Sequence, residues 1–182
     1  MSLQEKAKKF ATEAHKGQKR KNSDEDYIVH PIRVAETLRN AKLPEAVICS
    51  GYLHDVVEDT TVELEDIETE FGKEIRDIVA AHTEDKSKSW KERKQHTIDT
   101  VKTGSKEVKW LIVADKLDNL LSLERALEEK GSQVWKNFNA GPAKQQWYNE
   151  SVASVMFDGL NEQDTPEYFK TYEDAVRRVF HQ

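Results

Sequence analysis

Residues 53–60 of the chain read LHDVVEDT, a short segment that combines four polar positions with apolar ones. On a helix, Glu58 lies one turn after His54 and Asp59 one turn after Asp55, while the apolar residues point toward a core. Three of these four polar residues are acids, and without a cation their charges would repel one another in a partly buried place. The segment therefore predicts a helix that carries part of a divalent metal site.

The rest of the chain has the spacing of amphipathic helices, with apolar residues every three or four positions, and it lacks the alternation of β-strands. Capping motifs, first-turn prolines and helix-ending glycines delimit the helices. We predict an all-α bundle of about nine to ten helices, with nine placed at residues 2–16, 31–41, 44–58, 62–71, 73–83, 89–103, 105–129, 142–160 and 166–180.

Length and composition indicate one domain over residues 1–182. The net charge of −6 argues against a protein that holds nucleic acid by bulk charge. The longest apolar runs have about five residues, which excludes a membrane span. A charged N-terminus without a signal sequence and a single cysteine, Cys49, predict a cytoplasmic protein with Cys49 in its core.

Charge is distributed unevenly along the chain. Residues 54–85 carry a net charge of −10, whereas residues 1–21 carry +5, and five basic residues lie within 86–94. One interpretation is that solvated helix faces differ in sign. The other is that acids surround a cation while two basic segments hold an anionic ligand.

Further metal ligands must come from elsewhere in the chain. His30 directly precedes Pro31, which places it at the start of a helix. Asp115 follows an apolar run and has Asn119 one turn later, so it is drawn inward and needs a partner. A mixed set of nitrogen and oxygen ligands suits Mn²⁺ or Fe²⁺.

Four motifs together resemble those of HD-domain metal-dependent phosphohydrolases, and more closely the (p)ppGpp hydrolase domain of the Rel/Spo family. They are AHKGQKR at 14–20, YIVHP at 27–31, LHDVVEDT at 53–60 and ADKLDNL at 114–120. The match runs in order from about residue 7 to residue 160. Because the chain ends at residue 182, without room for a synthetase domain, it is similar to stand-alone alarmone hydrolases of the metazoan SpoT homologue type.

The resemblance implies a Mn²⁺-dependent 3′-pyrophosphohydrolase of the stringent response, which converts (p)ppGpp to GDP or GTP and pyrophosphate. It implies that one metal ion is held by His30, His54, Asp55 and Asp115. Such an ion lowers the pKa of water and polarises a phosphoryl oxygen. Glu58 and Asp59 are placed to orient the attacking water and handle its proton.

An anionic substrate needs positive charge beside this acidic centre. We expect phosphate or base contacts from Arg20, Lys21, Lys86 and Lys144. By resemblance, Arg20 also stacks on the purine, Asn119 contacts the nucleoside, and Trp147 or Tyr148 supplies an aromatic ring near the ligand. For Trp147, packing in the core is an equal alternative.

Three features differ from the family pattern and bear on nucleotide specificity: Asp118 where relatives commonly have His or Tyr, Trp147 where Tyr is frequent, and the turn at 22–26. Four histidines are expected to lie outside the chemistry: His15, His82, His96 and His181. Of these, His15 belongs to a matched motif and is expected to hold a loop by hydrogen bonding.

Two other functions are compatible with the sequence. An HD phosphohydrolase could act on another nucleotide, such as NADPH or a nucleoside phosphate. A non-catalytic nucleotide-binding regulator could retain the helical scaffold, although Glu58 and Asp59 beside the ligands argue against it. In each case the predicted partner is a small molecule rather than a nucleic acid or a membrane, and the sequence does not define an oligomeric state.

Overall fold

A computed structural model describes residues 1–181, so Gln182, the last residue of the predicted domain, lies outside it. Within this range the chain forms ten α-helices, and the β pairing consists of one isolated bridge between Lys19 and Asp26. The all-α prediction is confirmed. The helices are α1 (Leu3–Ala14), α2 (Val29–Asn40), α3 (Glu45–Leu53), α4 (Val56–Asp59), α5 (Leu64–Phe71), α6 (Lys73–His82), α7 (Trp90–Thr103), α8 (Lys106–Lys130), α9 (Pro142–Val155) and α10 (Glu167–Phe180).

Most predicted helix ends are found close to their expected positions because the capping contacts form. The Ser2 hydroxyl accepts a hydrogen bond from the Glu5 N–H, and the Glu5 carboxylate accepts one from the Ser2 N–H. Gly72 and Gly131 end α5 and α8 with φ of 94° and 66°, a left-handed backbone that favours glycine.

The predicted single helix at 44–58 is wrong, because the structure divides it into α3 and α4. At Asp55, φ is −106° and ψ is −3°, which depart from the regular α-helical values of about −63° and −42°. The Asp55 carboxylate contacts the neighbouring His54 and accepts a hydrogen bond from the distant Tyr27. The contact with Tyr27 is tertiary, and it overrides the local helical pattern. The predicted helix at 142–160 ends at Val155, and the connection predicted as non-helical at 130–141 contains a 3₁₀ helix, Gly131–Asn137.

Helix α3 lies at the centre of the bundle and packs against α1, α2, α6 and α8. Its residues 47–53 are all buried, including Cys49, as predicted. Gly51 allows the close approach of α2, since a Cβ atom there would lie 2.9 Å from Leu38 Cδ1 and 3.1 Å from Ala35 Cα. The start of α2 and the end of α3 are thereby brought together.

Helix α8 is the longest helix and completes the core. Residues 108–115 are all buried against neighbours that include α2, α3, α6 and α10. This packing draws Asp115 inward, as its apolar flank predicts. In the part of the chain that the structure describes, no helix has the length and apolar character needed to cross a membrane.

Candidate metal centre and adjoining cavity

The four predicted metal ligands meet at the junction of α2, α3 and α8. His30 comes from the first turn of α2, His54 and Asp55 from the break after α3, and Asp115 from the middle of α8. All four are buried, and one ligand atom from each lies within 4.8 Å of the others. The two Nε2 atoms are 3.2 Å apart, and Asp115 Oδ1 lies 2.8 Å from His30 Nε2 and 3.1 Å from His54 Nε2.

Both histidines are oriented through their other ring nitrogen. His30 Nδ1 lies 2.7 Å from Asp118 Oδ2, and His54 Nδ1 lies 2.7 Å from the Gly51 carbonyl oxygen. If each Nδ1 carries the proton, each Nε2 presents a lone pair toward the other ligands. Carboxylate and carbonyl acceptors commonly hold metal-ligating histidines in this way, so the residues fit a divalent cation.

Neighbouring groups keep the pKa of both buried acids below its ordinary value. Burial raises the pKa of Asp55, but the neighbouring His54 outweighs it and keeps the pKa below its ordinary value. Burial likewise raises the pKa of Asp115, but Lys116 and then His54 outweigh it and hold the pKa well below its ordinary value. Two ionised carboxylates facing two imidazole nitrogens form a donor set of the kind that transition metals bind.

Asp118, which differs from the family pattern, is part of this centre. Its Oδ2 atom faces His30, its Oδ1 atom accepts a hydrogen bond from Arg33 Nε at 2.8 Å, and Arg20 lies 3.8 Å away. The carboxylate therefore links a predicted ligand to two guanidinium groups. Asp118 thereby helps to orient the His30 ring.

The prediction that His82 lies outside the chemistry is wrong. Its Nε2 atom is 2.9 Å from Asp115 Oδ2, and its ring centroid is 4.9 Å from that of His54. The sequence held a signal for this, since His82 lies seven residues after Ile75 and four after Ile78, on the buried face of α6. His15 holds its loop as expected, with Nδ1 3.0 Å from Gln18 Oε1.

Glu58 and Asp59 lie on the short helix α4, next to the ligands. Glu58 accepts a hydrogen bond from the Glu84 N–H at 2.6 Å, so it also secures the segment after α6. Burial raises the pKa of Glu58, an effect that His82 opposes. Burial, and then the charge of Asp55, raises the pKa of Asp59, whose carboxylate lies 3.5 Å from Lys86 Nζ.

A cavity of about 730 Å³ adjoins the centre. Three residues of its wall contact the ligands: the Tyr27 hydroxyl donates to Asp55 at 2.6 Å, Lys116 Nζ lies 3.0 Å from Asp115, and Asn119 donates to Asp115 at 3.3 Å. The wall combines basic and aromatic side chains, namely Lys19, Arg20, Lys21, Lys94, Lys116, Tyr27, Trp90, Phe138 and Tyr148. This composition suits a ligand with phosphate groups and a base.

Four of the predicted substrate contacts line this cavity: Arg20, Lys21, Asn119 and Tyr148. Arg20 donates to Asn119 and Ser122, both at 3.3 Å, and its guanidinium lies 5.7 Å from the centroid of the Tyr27 ring. Lys21 Nζ lies 5.2 Å from the centroid of the Phe138 ring.

The other three predicted contacts lie outside the cavity wall as far as the structure describes it. Lys86 donates to the Glu58 carbonyl at 2.7 Å. Trp147 packs against Trp90, 6.1 Å between ring centroids, and Lys144 Nζ lies 5.9 Å from the Trp90 centroid. Their contact with a substrate stays a prediction. Four other wall residues, Trp90, Lys94, Lys116 and Phe138, were not among the predicted substrate contacts.

The sequence profile of the HD domain matches residues 7–143. The chain belongs to the HD-domain family. All four candidate ligands, His30, His54, Asp55 and Asp115, lie within the matched residues.

The resemblance of this HD-domain protein to the Rel/Spo hydrolases and the metazoan SpoT homologue is confirmed by curated relatives. It is 39% identical to the Xenopus tropicalis guanosine-3′,5′-bis(diphosphate) 3′-pyrophosphohydrolase MESH1 over 130 residues, 70% of this chain and 73% of the relative. It is 33% identical to human MESH1 over 178 residues, 95% of this chain and 90% of the relative. A probable enzyme of the same name from Synechocystis is 35% identical over 131 residues, which are 17% of its length.

Two solved structures share the fold. A crystal structure of a Listeria monocytogenes protein superimposes with a TM-score of 0.80 at 48% identity, covering 84% of this chain and 99% of the other. A metazoan SpoT orthologue, described as hydrolysing ppGpp, superimposes with a TM-score of 0.78 at 27% identity, covering 98% of this chain and 95% of the other.

Proposed function

We propose that this HD-domain protein is a metal-dependent guanosine-3′,5′-bis(diphosphate) 3′-pyrophosphohydrolase that converts (p)ppGpp to GDP or GTP and pyrophosphate. The observation that carries the proposal is the buried set of His30, His54, Asp55 and Asp115 beside a basic and aromatic cavity. The activity in the names of the MESH1 relatives, which match most of this chain, supports this substrate. The domain is proposed to extend over residues 1–182, in the reducing cytoplasm, where Cys49 stays a free thiol.

We propose Mn²⁺ as the resident ion, with Fe²⁺ or another transition metal as substitutes, because two imidazole and two carboxylate ligands suit these ions. His30, His54, Asp55 and Asp115 would hold it. When bound, such an ion lowers the pKa of water and polarises a phosphoryl oxygen.

The residues of the chain do the remaining work. We infer that Glu58 and Asp59 orient the attacking water and accept its proton, since both lie on the short helix α4, which directly follows the ligand Asp55. The water oxygen forms a bond to the phosphorus next to the ribose, the bond from that phosphorus to the 3′ oxygen breaks, and the 3′ oxygen takes up a proton. Arg20 and Asn119 lie where they can bind the nucleoside.

The direct test is an assay of the purified protein with Mn²⁺ against ppGpp, pppGpp, NADPH and deoxynucleotides, in which pyrophosphate and phosphate are measured separately. We expect pyrophosphate from ppGpp and pppGpp. The control is Asp55→Ala, which should bind no metal and release nothing. Release of phosphate from another nucleotide would show that the protein is an HD phosphohydrolase with a different substrate. If the protein binds metal but turns over none of the compounds, the nucleotide-binding regulator becomes the supported function.

A further inference from the structure

Three polar groups that the mechanism above does not use meet at one end of the cavity. Lys94 of α7, Lys116 of α8 and Tyr148 of α9 all line it. The Lys94 and Lys116 ammonium groups lie 5.3 and 5.5 Å from the centroid of the Tyr148 ring. We call these three side chains the anion corner.

The hydroxyl of Tyr148 carries the argument for a ligand. Tyr148 is only 5% exposed, and within residues 1–181 its hydroxyl has no hydrogen-bond partner. A buried hydroxyl without a partner is unfavourable, so a bound group that accepts its hydrogen bond would remove that penalty. Tyr148 also belongs to the cavity wall, so its side chain borders the space in which a ligand would bind.

The two lysines define the charge of that group. Lys94 Nζ contacts both oxygens of Glu84 at 3.0 Å, and Lys116 Nζ lies 3.0 Å from Asp115 Oδ2. Each ammonium has three N–H donors, so these contacts leave donors for a ligand. Burial and the nearby Lys116 charge lower the pKa of Lys94, and an anion between the two lysines would relieve their repulsion.

The corner is directly adjacent to the metal centre. Asp115 separates them, with Oδ1 facing His30 and His54 and Oδ2 facing Lys116. A diphosphate can therefore place one phosphoryl group at the centre and the next one at the corner. A single phosphate would reach only one of the two.

We propose that Lys94, Lys116 and the Tyr148 hydroxyl bind the outer phosphoryl group of the substrate's 3′-diphosphate. This inference rests on the proposed function. It adds that the anion corner makes the enzyme specific for a 3′-diphosphate over a 3′-monophosphate. The anion corner also retains the product pyrophosphate after the 3′ oxygen has left.

The test is calorimetric binding of inorganic pyrophosphate and of inorganic phosphate to the Mn²⁺-loaded protein. Tyr148→Phe removes only the hydroxyl and should weaken pyrophosphate binding about five- to tenfold, the effect of one lost hydrogen bond. Lys94→Gln should weaken it at least as much. The affinity for inorganic phosphate, which we expect to bind at the metal centre, should change less than twofold in both variants. The matched control is Lys102→Gln, an exposed position two turns further along α7, which should change neither affinity.

Equal pyrophosphate affinities for the wild type and Tyr148→Phe would overturn the corner, as would a parallel loss of phosphate and pyrophosphate affinity. Circular dichroism of each variant shows whether it is folded, and Tyr148→Phe keeps the buried ring in place. The binding measurement needs no turnover. If the protein binds pyrophosphate through the anion corner but does not hydrolyse ppGpp, only the proposed function is refuted. If it hydrolyses ppGpp but Tyr148→Phe binds pyrophosphate as the wild type does, only the role of the anion corner is refuted.

Discussion

Asp115 connects the two halves of the candidate centre because its oxygens face different partners. Oδ1 lies near His30 and His54, whereas Oδ2 lies 2.9 Å from His82 and 3.0 Å from Lys116. The contacts to Oδ2 fix the direction of Oδ1. Residues that hold a ligand in this way are as much part of the centre as the ligand.

Substitutions of His82 test whether its contact holds Asp115 in place. His82→Ala should raise the dissociation constant for Mn²⁺ about 10- to 100-fold. His82→Gln, which can still donate to Asp115, should recover part of the affinity, measured by competition with a fluorescent chelator. His96→Ala, at an exposed position on α7, is the control. Unchanged metal affinity in His82→Ala would show that Asp115 is oriented without it.

Glu58 has two roles that different substitutions separate. Because its carboxylate accepts a hydrogen bond from the Glu84 N–H, Glu58→Gln keeps an acceptor that Glu58→Ala removes. Glu58→Gln should bind metal normally and lose about 10²- to 10⁴-fold in kcat. The exposed Glu68→Gln serves as the control, with steady-state kinetics and metal titration as measurements. Full activity of Glu58→Gln would refute its role toward water.

Glu58 also predicts a pH dependence. Burial raises its pKa above the ordinary 4.5, and only the carboxylate accepts a proton. Activity should therefore be complete above the raised pKa and fall as the pH decreases through it, at a higher pH than an exposed glutamate would produce. A profile of kcat against pH tests this, with metal occupancy checked at each pH. A flat profile down to pH 4.5 would contradict it.

Local motifs around His30, the His54-Asp55 doublet and Asp115 predicted that these residues belong to one site, and the structure brings their ligand atoms within 4.8 Å of one another. His82 was missed because a single histidine on a helix is usually only packed, and its contact with Asp115 depends on how α6 meets α8. The spacing from Ile75 and Ile78 places His82 on the buried face of α6, but it does not show that this face meets Asp115.

At the scale of elements, the contact between α2 and α3 positions the ligands. Local patterns predicted both helices, but not the break after α3, where the Asp55 carboxylate accepts a hydrogen bond from Tyr27, a residue 28 positions earlier. The break gives Asp55 an orientation that a continuous helix would not. Helix ends set by caps were predictable, whereas this one is set by tertiary contacts.

Gly51→Ala tests that contact. The added Cβ would lie 2.9 Å from Leu38 Cδ1, which can move, and 3.1 Å from Ala35 Cα, which moves only if the backbone of α2 shifts away from α3. We expect the free energy of unfolding to fall by about 1–3 kcal/mol and metal affinity to fall with it, because His30 and His54 move apart. Urea unfolding in the presence of a chelator measures the first effect. Gly141→Ala, where no atom lies within 4 Å of the new Cβ, should change stability by less than about 0.5 kcal/mol.

At the scale of the whole molecule, a net charge of −6 conceals a cavity lined by Lys and Arg. Arg20 and Lys21 come from the first basic segment and Lys94 from the second, as the interpretation with an anionic ligand anticipated. Lys86, from the same second segment, pairs with Asp59 instead. Charge along the sequence indicates which segments are basic, but the fold decides which side chains turn toward the cavity.

A metal held by three helices should stabilise the whole fold. Mn²⁺ at 100 times its dissociation constant adds about 2.7 kcal/mol if it binds only the folded state. For a chain of this size, this corresponds to a rise in Tm of about 5–10 °C, measured by calorimetry with and without metal. Asp55→Ala, which lacks a ligand, should show no rise. The same Tm in metal and in chelator for the wild type would exclude a metal linked to folding.

The separation of the ligands along the chain also sets the order of events during synthesis. Asp115 lies 85 residues after His30, so the ribosome releases three of the ligands long before the fourth. A nascent chain without α8 has two imidazoles and one carboxylate, but it lacks both Asp115 and the Asp118 contact that orients His30. High metal affinity can arise only after α8 has emerged and docked, which makes metal loading a late step and protects the unfinished chain from trapping an ion in a non-native arrangement.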